Sequence, residues 1–268
     1  MNQDAAARSS WVCRRRLALE EYRASGFAVV REAVDAPTVA ILAEAVERIQ
    51  RMASELPPEL ADRLVFERDL PASKRGGIPS DQVGDAVFII GDPALFDPCF
   101  LEFVVHSQVL ALAAGALESD NLECHLVNVT MKRPLVGSGI AWHRDFPNSY
   151  ICPSTPRFVR IMLCLDDVDE TNGASGFVAA SHLVSKEERS KAIPQPPIEK
   201  VSTPICPSGS LVLIHPLVLH GGPPNASRRA RRNLVVQWGL RTGEEIGPER
   251  EALTGLSPDE IKARLTSS

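Results

Sequence analysis

The tetrapeptide Trp-His-Arg-Asp that ends at Asp145 contains two side chains that could share a metal ion. His143 and Asp145 are two residues apart, and side chains along an extended strand repeat every two residues, so both project from one face. A third ligand must come from elsewhere in the chain. His220 is the first candidate because it follows an apolar run and precedes two glycines, and His215 is the alternative. Two histidines and one carboxylate are typical of non-haem Fe(II) oxygenases.

The first half of the chain is predicted to be helical. Residues 1–16 show no periodicity and are expected to be a flexible leader, which leaves 17–268 as one domain. Asp35 is predicted to cap an amphipathic helix, and a second covering helix is expected from Pro98 to Leu117. Residues 71–84, rich in Gly, Pro and charge, are expected to be either a lid or a disordered loop.

The second half is predicted to consist of short strands. Apolar runs rich in β-branched residues alternate with turn signals at 123–132, 158–165, 209–214 and 233–240. Because no long helix separates these runs, a parallel α/β sheet is disfavoured. The sequence therefore predicts a mainly β fold with covering helices, a jelly-roll barrel of the cupin type, also called a double-stranded β-helix.

Composition limits the classes of partner. A formal net charge of -5 gives no reason to expect nucleic acid or an anionic membrane surface. No apolar stretch is long enough for a signal peptide or a membrane-spanning helix. The six cysteines form no spacing typical of a zinc site or a disulfide framework, so a reducing, cytoplasmic location is expected. The oligomeric state is left open.

Several motifs in a fixed order resemble the phytanoyl-CoA dioxygenase family of Fe(II)- and 2-oxoglutarate-dependent oxygenases. The resemblance covers about residues 19–240. It is carried by Glu21–Phe27, Lys132–Pro134, Trp142–Asp145, Glu170–Gly173, Ala180–His182 and His220–Gly221, followed by Arg231.

The resemblance implies a set of site residues. His143, Asp145 and His220 would bind Fe(II), and Arg231 would bind the distal carboxylate of 2-oxoglutarate. The strand before Lys132 carries polar cosubstrate contacts in related enzymes, and here Asn128 and Thr130 remain, while Leu126 occupies a third such position. Gly222 stands where the family often has Ser or Thr.

The two adjacent arginines near the end of the chain must face opposite sides of a strand. If Arg231 points inward, then Arg232 shares its face with Leu234, Val236 and Trp238, which form a consistent apolar side. Arg160 is expected either to point inward, where it would need an anion such as the cosubstrate or an acidic substrate, or to be exposed to solvent.

The expected activity is hydroxylation of an unactivated carbon of a small organic substrate by O₂ and 2-oxoglutarate. The substrate could be an amino-acid derivative, a secondary metabolite or an acyl compound. Asp145 also predicts that the enzyme does not halogenate, because halogenases of this kind carry a small residue in its place. The alternatives are a non-redox metal enzyme, such as a zinc hydrolase or isomerase, and a non-catalytic jelly roll that binds a small molecule.

Overall fold

The structure, a computed structural model, describes residues 3–71, 79–135, 137–148, 151–189, 191, 195–244, 246–247 and 251–266, with side chains from Ser10 onward. The helices are α1 Gln3–Ser25, α2 Ala36–Met52, α3 Pro58–Ala61, α4 Ser80–Val83, α5 Cys99–Val104, α6 Ser107–Leu117, α7 Lys186–Arg189 and α8 Pro258–Leu265. No helix among these combines the length and the apolar character that crossing a bilayer requires.

Among the described residues, eleven strands form two antiparallel sheets. They are β1 Phe27–Val30, β2 Leu64–Phe66, β3 Val87–Gly91, β4 Leu122–Lys132, β5 Ile140–His143, β6 Phe158–Cys164, β7 Gly176–Val178, β8 Val201–Ser202, β9 Leu211–Ile214, β10 Leu219–Gly222 and β11 Arg231–Leu240. The larger sheet has the order β1-β9-β6-β11-β4-β3-β2, and the smaller has β5-β10-β7-β8. The predicted jelly roll with covering helices is confirmed, and within the described residues its two sheets share no strand ladder.

The first helix is longer than the sequence predicts. It begins at Gln3, so residues 3–16 of the expected leader are helical and continuous with the segment that ends before β1. The Arg15 Nε donates to the Ala111 carbonyl on α6 at 3.1 Å, and Leu19 packs where a β-carbon at Gly115 would lie. These contacts with a distant helix stabilise α1, whose own sequence has little apolar periodicity, so a local pattern did not reveal it.

The capping residues explain where the covering helices begin. Asp35 accepts a bond from the Thr38 amide at 2.9 Å and starts α2, as predicted. The single helix predicted from Pro98 to Leu117 is wrong, because it is two helices separated at His106. The His106 backbone is not helical, with φ -57° and ψ 133°, and its Nδ1 accepts from the Gln108 amide, which caps α6.

Only part of the predicted lid can be compared with the structure. Residues 72–78 of the segment 71–84 lie outside the described residues. Its last residues form α4, a single short turn of helix. Its role as a lid stays a prediction.

The two faces of the larger sheet have different environments. Leu234 and Trp238 of β11 are buried in the main core, together with apolar residues of the helices. Val235, on the opposite face, belongs to a second apolar cluster with Phe27 of the larger sheet and Phe177 of the smaller one. The rings of Phe27 and Phe177 stack with their centroids 4.4 Å apart. Side chains of this inner face therefore point into the space between the sheets.

Candidate metal centre

Strand pairing brings the two predicted histidine ligands together. His143 is the last residue of β5, and it lies directly opposite His220 on β10. Asp145 follows in a bend, which the Phe146 amide fixes by donating to the Pro216 carbonyl at 3.0 Å. The three side chains each offer one ligand atom within 4.8 Å of the others, so they could hold one metal ion.

Hydrogen bonds set the tautomers of both histidines. The Nδ1 of His143 lies 2.8 Å from the Ala141 carbonyl, and that of His220 lies 3.1 Å from the Val218 carbonyl. Because a carbonyl oxygen can only accept, each Nδ1 carries the proton and each Nε2 presents a lone pair. The two Nε2 atoms lie 3.5 and 3.8 Å from Asp145 Oδ1. Metal-binding histidines are commonly oriented in this way.

The charge distribution also suits a divalent cation. Burial would raise the pKa of Asp145, but Arg160, His220 and His143 together hold it below its usual range. Asp145 therefore stays a carboxylate, and its Oδ2 is buried without a hydrogen-bond partner among the described residues. Burial lowers the pKa of His220 to about 4, which keeps this imidazole neutral near pH 7. A neutral histidine and an ionised carboxylate are the forms that bind a metal.

Arg160 points inward, which is the first of the two alternatives expected for it. Its side chain is 11% exposed, and its Nη1 donates to Asp145 Oδ1 at 2.5 Å. The anion that an inward arginine requires is thus the carboxylate of a candidate metal ligand. A contact between Arg160 and substrate stays a prediction.

His215 does not join the cluster. Its Nδ1 accepts from the Leu217 amide at 3.1 Å, and its ring packs against Tyr22 and His182. The structure therefore favours His220 over His215 as the third ligand.

Arg231 is a buried cation with spare donors. It is 1% exposed, and its Nε and Nη2 have no hydrogen-bond partner among the described residues. Burial lowers its pKa to about 10, so the guanidinium stays charged at neutral pH. The Asn233 side-chain oxygen accepts from Nη1 when its amide is turned toward Arg231. Unpaired donors on a buried charge are costly, and a carboxylate would satisfy them.

Arg232 lies on the opposite face, as the strand register predicts. Its guanidinium binds Asp166 through Nε and Nη2 at 2.9 and 2.6 Å. Its Nη1 also donates to Glu47 and to the Ala43 carbonyl on α2. Arg232 thus joins β11 to the covering helix, and this anchor holds Arg231 on the inner face.

The neighbouring strand adds one group that the sequence did not identify as functional. Lys132 of β4 lies opposite Arg231 and is 1% exposed. Its Nζ donates to the Gly173 carbonyl at 3.0 Å and to the Pro223 carbonyl. Burial, with Arg231 nearby, lowers the pKa of Lys132 to about 6. The alternation of polar side chains along β4 could have identified Lys132, because Asn128 and Thr130 precede it on the same face of the strand.

Asn128 and Thr130 occupy half-buried positions opposite Val235 and Asn233 of β11. They therefore line the face that carries Arg231, which is where a contact with the cosubstrate would require them. Their role in binding it stays a prediction.

Trp142 faces away from the candidate ligands. A β-carbon at Gly176 would lie 3.2 Å from its indole ring, so the ring lies across the small residue of β7. Trp142, Ile198 and Val201 line a groove of about 980 Å³ that includes none of the three candidate ligands. Within the tetrapeptide, His143 and Asp145 are therefore the residues directed at the metal position.

Comparison with known proteins agrees with this geometry. Residues 22–233 match the family described as phytanoyl-CoA dioxygenase (PhyH). The chain belongs to the phytanoyl-CoA dioxygenase family. The sequence resemblance is thus confirmed, and the two histidines and one aspartate that it implied as metal ligands lie together in the structure.

One curated protein and two solved structures are similar to this chain. A probable alpha-ketoglutarate-dependent hypophosphite dioxygenase of Stutzerimonas stutzeri is 23% identical over 155 residues, which is 52% of each chain. The alignment therefore spans about half the length of this curated relative. The alpha-ketoglutarate-dependent carbocyclase SnoK from nogalamycin biosynthesis is 15% identical, with a TM-score of 0.68 over 87% of each chain. EctD from S. alaskensis, solved with bound Fe, is 17% identical, with a TM-score of 0.68 over 90% of this chain and 83% of its own. These two structural likenesses support the fold.

Proposed function

We propose that the protein is an Fe(II)- and 2-oxoglutarate-dependent dioxygenase that hydroxylates an unactivated carbon of a small organic substrate. One observation carries this proposal. Arg231, a buried arginine whose Nε and Nη2 have no partner among the described residues, lies on the inner face of the sheet that also carries Arg160, the partner of Asp145. A non-redox zinc enzyme has no need of that arginine, whereas a dicarboxylate cosubstrate needs a partner for its distal end. The intact set of His143, Asp145 and His220 speaks against a non-catalytic binding module.

The roles of the protein groups follow from their positions. The Nε2 atoms of His143 and His220 and the carboxylate of Asp145 would hold Fe(II). Arg231 would bind the distal carboxylate of 2-oxoglutarate through parallel charge-assisted bonds. When bound, Fe(II) and 2-oxoglutarate supply the chemistry that activates O₂ and removes hydrogen from carbon, with succinate and CO₂ released.

Lys132 is proposed as a second cationic partner of the cosubstrate. Its Nζ would lie 3.4 Å from a β-carbon at Gly222, the position where the family often carries a hydroxyl side chain. An incoming carboxylate would favour the protonated form of Lys132 over the neutral one. Asn128 and Thr130 would complete the polar wall of this subsite.

Apolar side chains would keep water away from the reacting position. The Phe177 ring stacks beside the His220 ring, with centroids 5.8 Å apart. Leu126 on the inner face of β4 is covered by Ile151 and Ile246. Such shielding is a standard contribution of the protein in oxidative chemistry.

The outcome proposed for the oxidation is hydroxylation. Hydroxylation is favoured as the simplest product of hydrogen removal at carbon, and the presence of Asp145 speaks against halogenation. The likeness to a carbocyclase makes ring closure the alternative to test in the same assays. A cytoplasmic setting is proposed from the six cysteines, all of which are unpaired.

The decisive assay is formation of succinate from 2-oxoglutarate under air, with and without added Fe(II). We expect slow release without substrate and faster release when a true substrate is supplied. Mass spectrometry of the substrate then distinguishes a gain of one oxygen from a loss of two hydrogens. If the protein loaded with Fe(II) produces no succinate with any candidate, and binds no 2-oxoglutarate, then the proposal is wrong.

A further inference from the structure

A row of polar side chains extends from Asp145 into the larger sheet. Arg160 Nη1 donates to Asp145 Oδ1, while its Nε donates to Gln237 Oε1 at 3.0 Å. The other end of this amide, Gln237 Nε2, lies 2.9 Å from His125 Nδ1. His125 Nε2 in turn lies 3.7 Å from Glu123 Oε1. The proposed function assigns no role to the members of this row beyond Arg160.

The amide orientation of Gln237 is fixed by its two neighbours. A guanidinium can only donate, so the oxygen of the amide must face Arg160. The nitrogen then faces His125, whose Nδ1 must be the unprotonated acceptor. Burial lowers the pKa of His125 to about 4, so the neutral ring is maintained at ordinary pH. Gln237 is therefore locked in one orientation from both ends.

The backbone is adapted to bring His125 into this row. Gln237 lies directly opposite Arg160 on the neighbouring strand. On the other side, the ladder between β11 and β4 shifts after Gln237, so that His125 is an extra residue in the strand. A β-carbon at Gly239 would lie 2.1 Å from His125 Cε1, so the ring occupies space that glycine leaves open.

We propose that Gln237 and His125 are positioning residues that hold the Arg160 guanidinium on one oxygen of Asp145 and so keep this carboxylate available to the metal. The inference rests on the proposed function, because it requires Asp145 to be a metal ligand. Its physical basis is competition between the guanidinium and the metal for the carboxylate oxygens of Asp145. A guanidinium that is free to turn can bind both oxygens of a carboxylate through parallel bonds. The acceptor at Gln237 holds Nε away from Asp145, while Nη1 bonds Oδ1. A second lone pair on Oδ1, the oxygen that lies 3.5 and 3.8 Å from the two histidine Nε2 atoms, then stays available to the metal. Oδ2 has no hydrogen-bond partner among the described residues and is available as well.

The test measures metal affinity directly, with Mn(II) as a redox-stable probe counted by its free-ion EPR signal. Arg160→Met should raise the Mn(II) Kd about 10- to 100-fold, the usual effect of removing a group that orients a metal ligand. Gln237→Met should raise it about 3- to 10-fold. If Gln237 acts through Arg160, the same substitution in an Arg160→Met background should add less than about twofold.

A second variant and a matched control complete the design. His125→Phe keeps a ring beside Gly239 but removes the acceptor, and it should raise the Mn(II) Kd about threefold even if Gln237→Met folds poorly. Gln50→Met is the control, because both ends of the Gln50 amide are bonded, to Asp85 and Val87, at a distance from this row. It should leave the Mn(II) Kd unchanged.

The possible outcomes separate this inference from the proposed function. Wild-type protein that binds neither Mn(II) nor Fe(II) would refute both. Wild-type binding with an unchanged Kd in Gln237→Met and His125→Phe would refute only the positioning role. Equal effects of Gln237→Met with and without Arg160 would also refute it, since the glutamine would then act by another route.

Discussion

Replacement of Arg231 by methionine should affect cosubstrate binding and protein stability in opposite directions. Loss of two charge-assisted bonds to a buried carboxylate costs about 2–4 kcal/mol. At about 1.4 kcal/mol per tenfold, the Kd for 2-oxoglutarate should rise about 30- to 700-fold. In the protein without cosubstrate, Arg231 is a buried charge, and two of its nitrogens find no partner in the part of the chain that the structure describes. Each unsatisfied donor costs about 1–3 kcal/mol, so their removal should increase the free energy of unfolding by about 1 kcal/mol or more.

Isothermal titration of the Mn(II)-loaded protein with 2-oxoglutarate measures the first effect, and thermal melting without ligands measures the second. For a protein of this size, 1 kcal/mol corresponds to a shift in Tm of about 2–4 °C. Arg232→Met is the matched control on the opposite face. It breaks the contacts with Asp166 and Glu47, so it should lower Tm while changing the Kd for 2-oxoglutarate by less than about threefold. A large fall in Tm for Arg231→Met with nearly unchanged 2-oxoglutarate binding would show that Arg231 is a structural residue.

Three further predictions concern the ligands and the buried lysine. His143→Ala and His220→Ala should each abolish succinate formation with little change in Tm, whereas His215→Ala should retain activity and lose about 1–3 kcal/mol of stability; normal turnover by His220→Ala would show that the third ligand is wrong. The pKa of Lys132 is about 6 in the folded protein, against 10.5 for an ordinary solvated lysine, which we take for the unfolded chain. Between pH 6 and pH 10.5 the unfolded chain therefore binds one more proton than the folded protein, so the free energy of unfolding rises with pH. Urea titrations at several pH values should show that Lys132→Met reduces this slope, by at most about 1.4 kcal/mol per pH unit, and equal slopes would contradict the lowered pKa. Turnover in excess chloride or bromide should give no halogenated product by mass spectrometry, because Asp145 occupies the position that a halide would need; detection of one would overturn that assignment.

The sequence alone determined the features that depend on local periodicity. The two-residue spacing of His143 and Asp145 and the alternation from Arg231 to Trp238 are properties of an extended chain, so the inward and outward faces could be assigned from residue types. The same holds for the Asp35 cap, which needs only the next turn of helix. The order of the motifs indicated the family and, with it, the hypotheses that His220 is the third ligand and that Fe(II) and 2-oxoglutarate are bound.

Tertiary structure decided everything that depends on register between distant strands. Arg160 could have faced solvent or an external anion, and only its pairing opposite Gln237 places it on Asp145. The strand irregularity at His125 has no distinctive sequence signal, because it arises from the ladder between β4 and β11, whose residues are far apart in the chain. The helical start of α1 was likewise hidden, since its stability comes from packing on α6 and not from its own pattern of apolar residues.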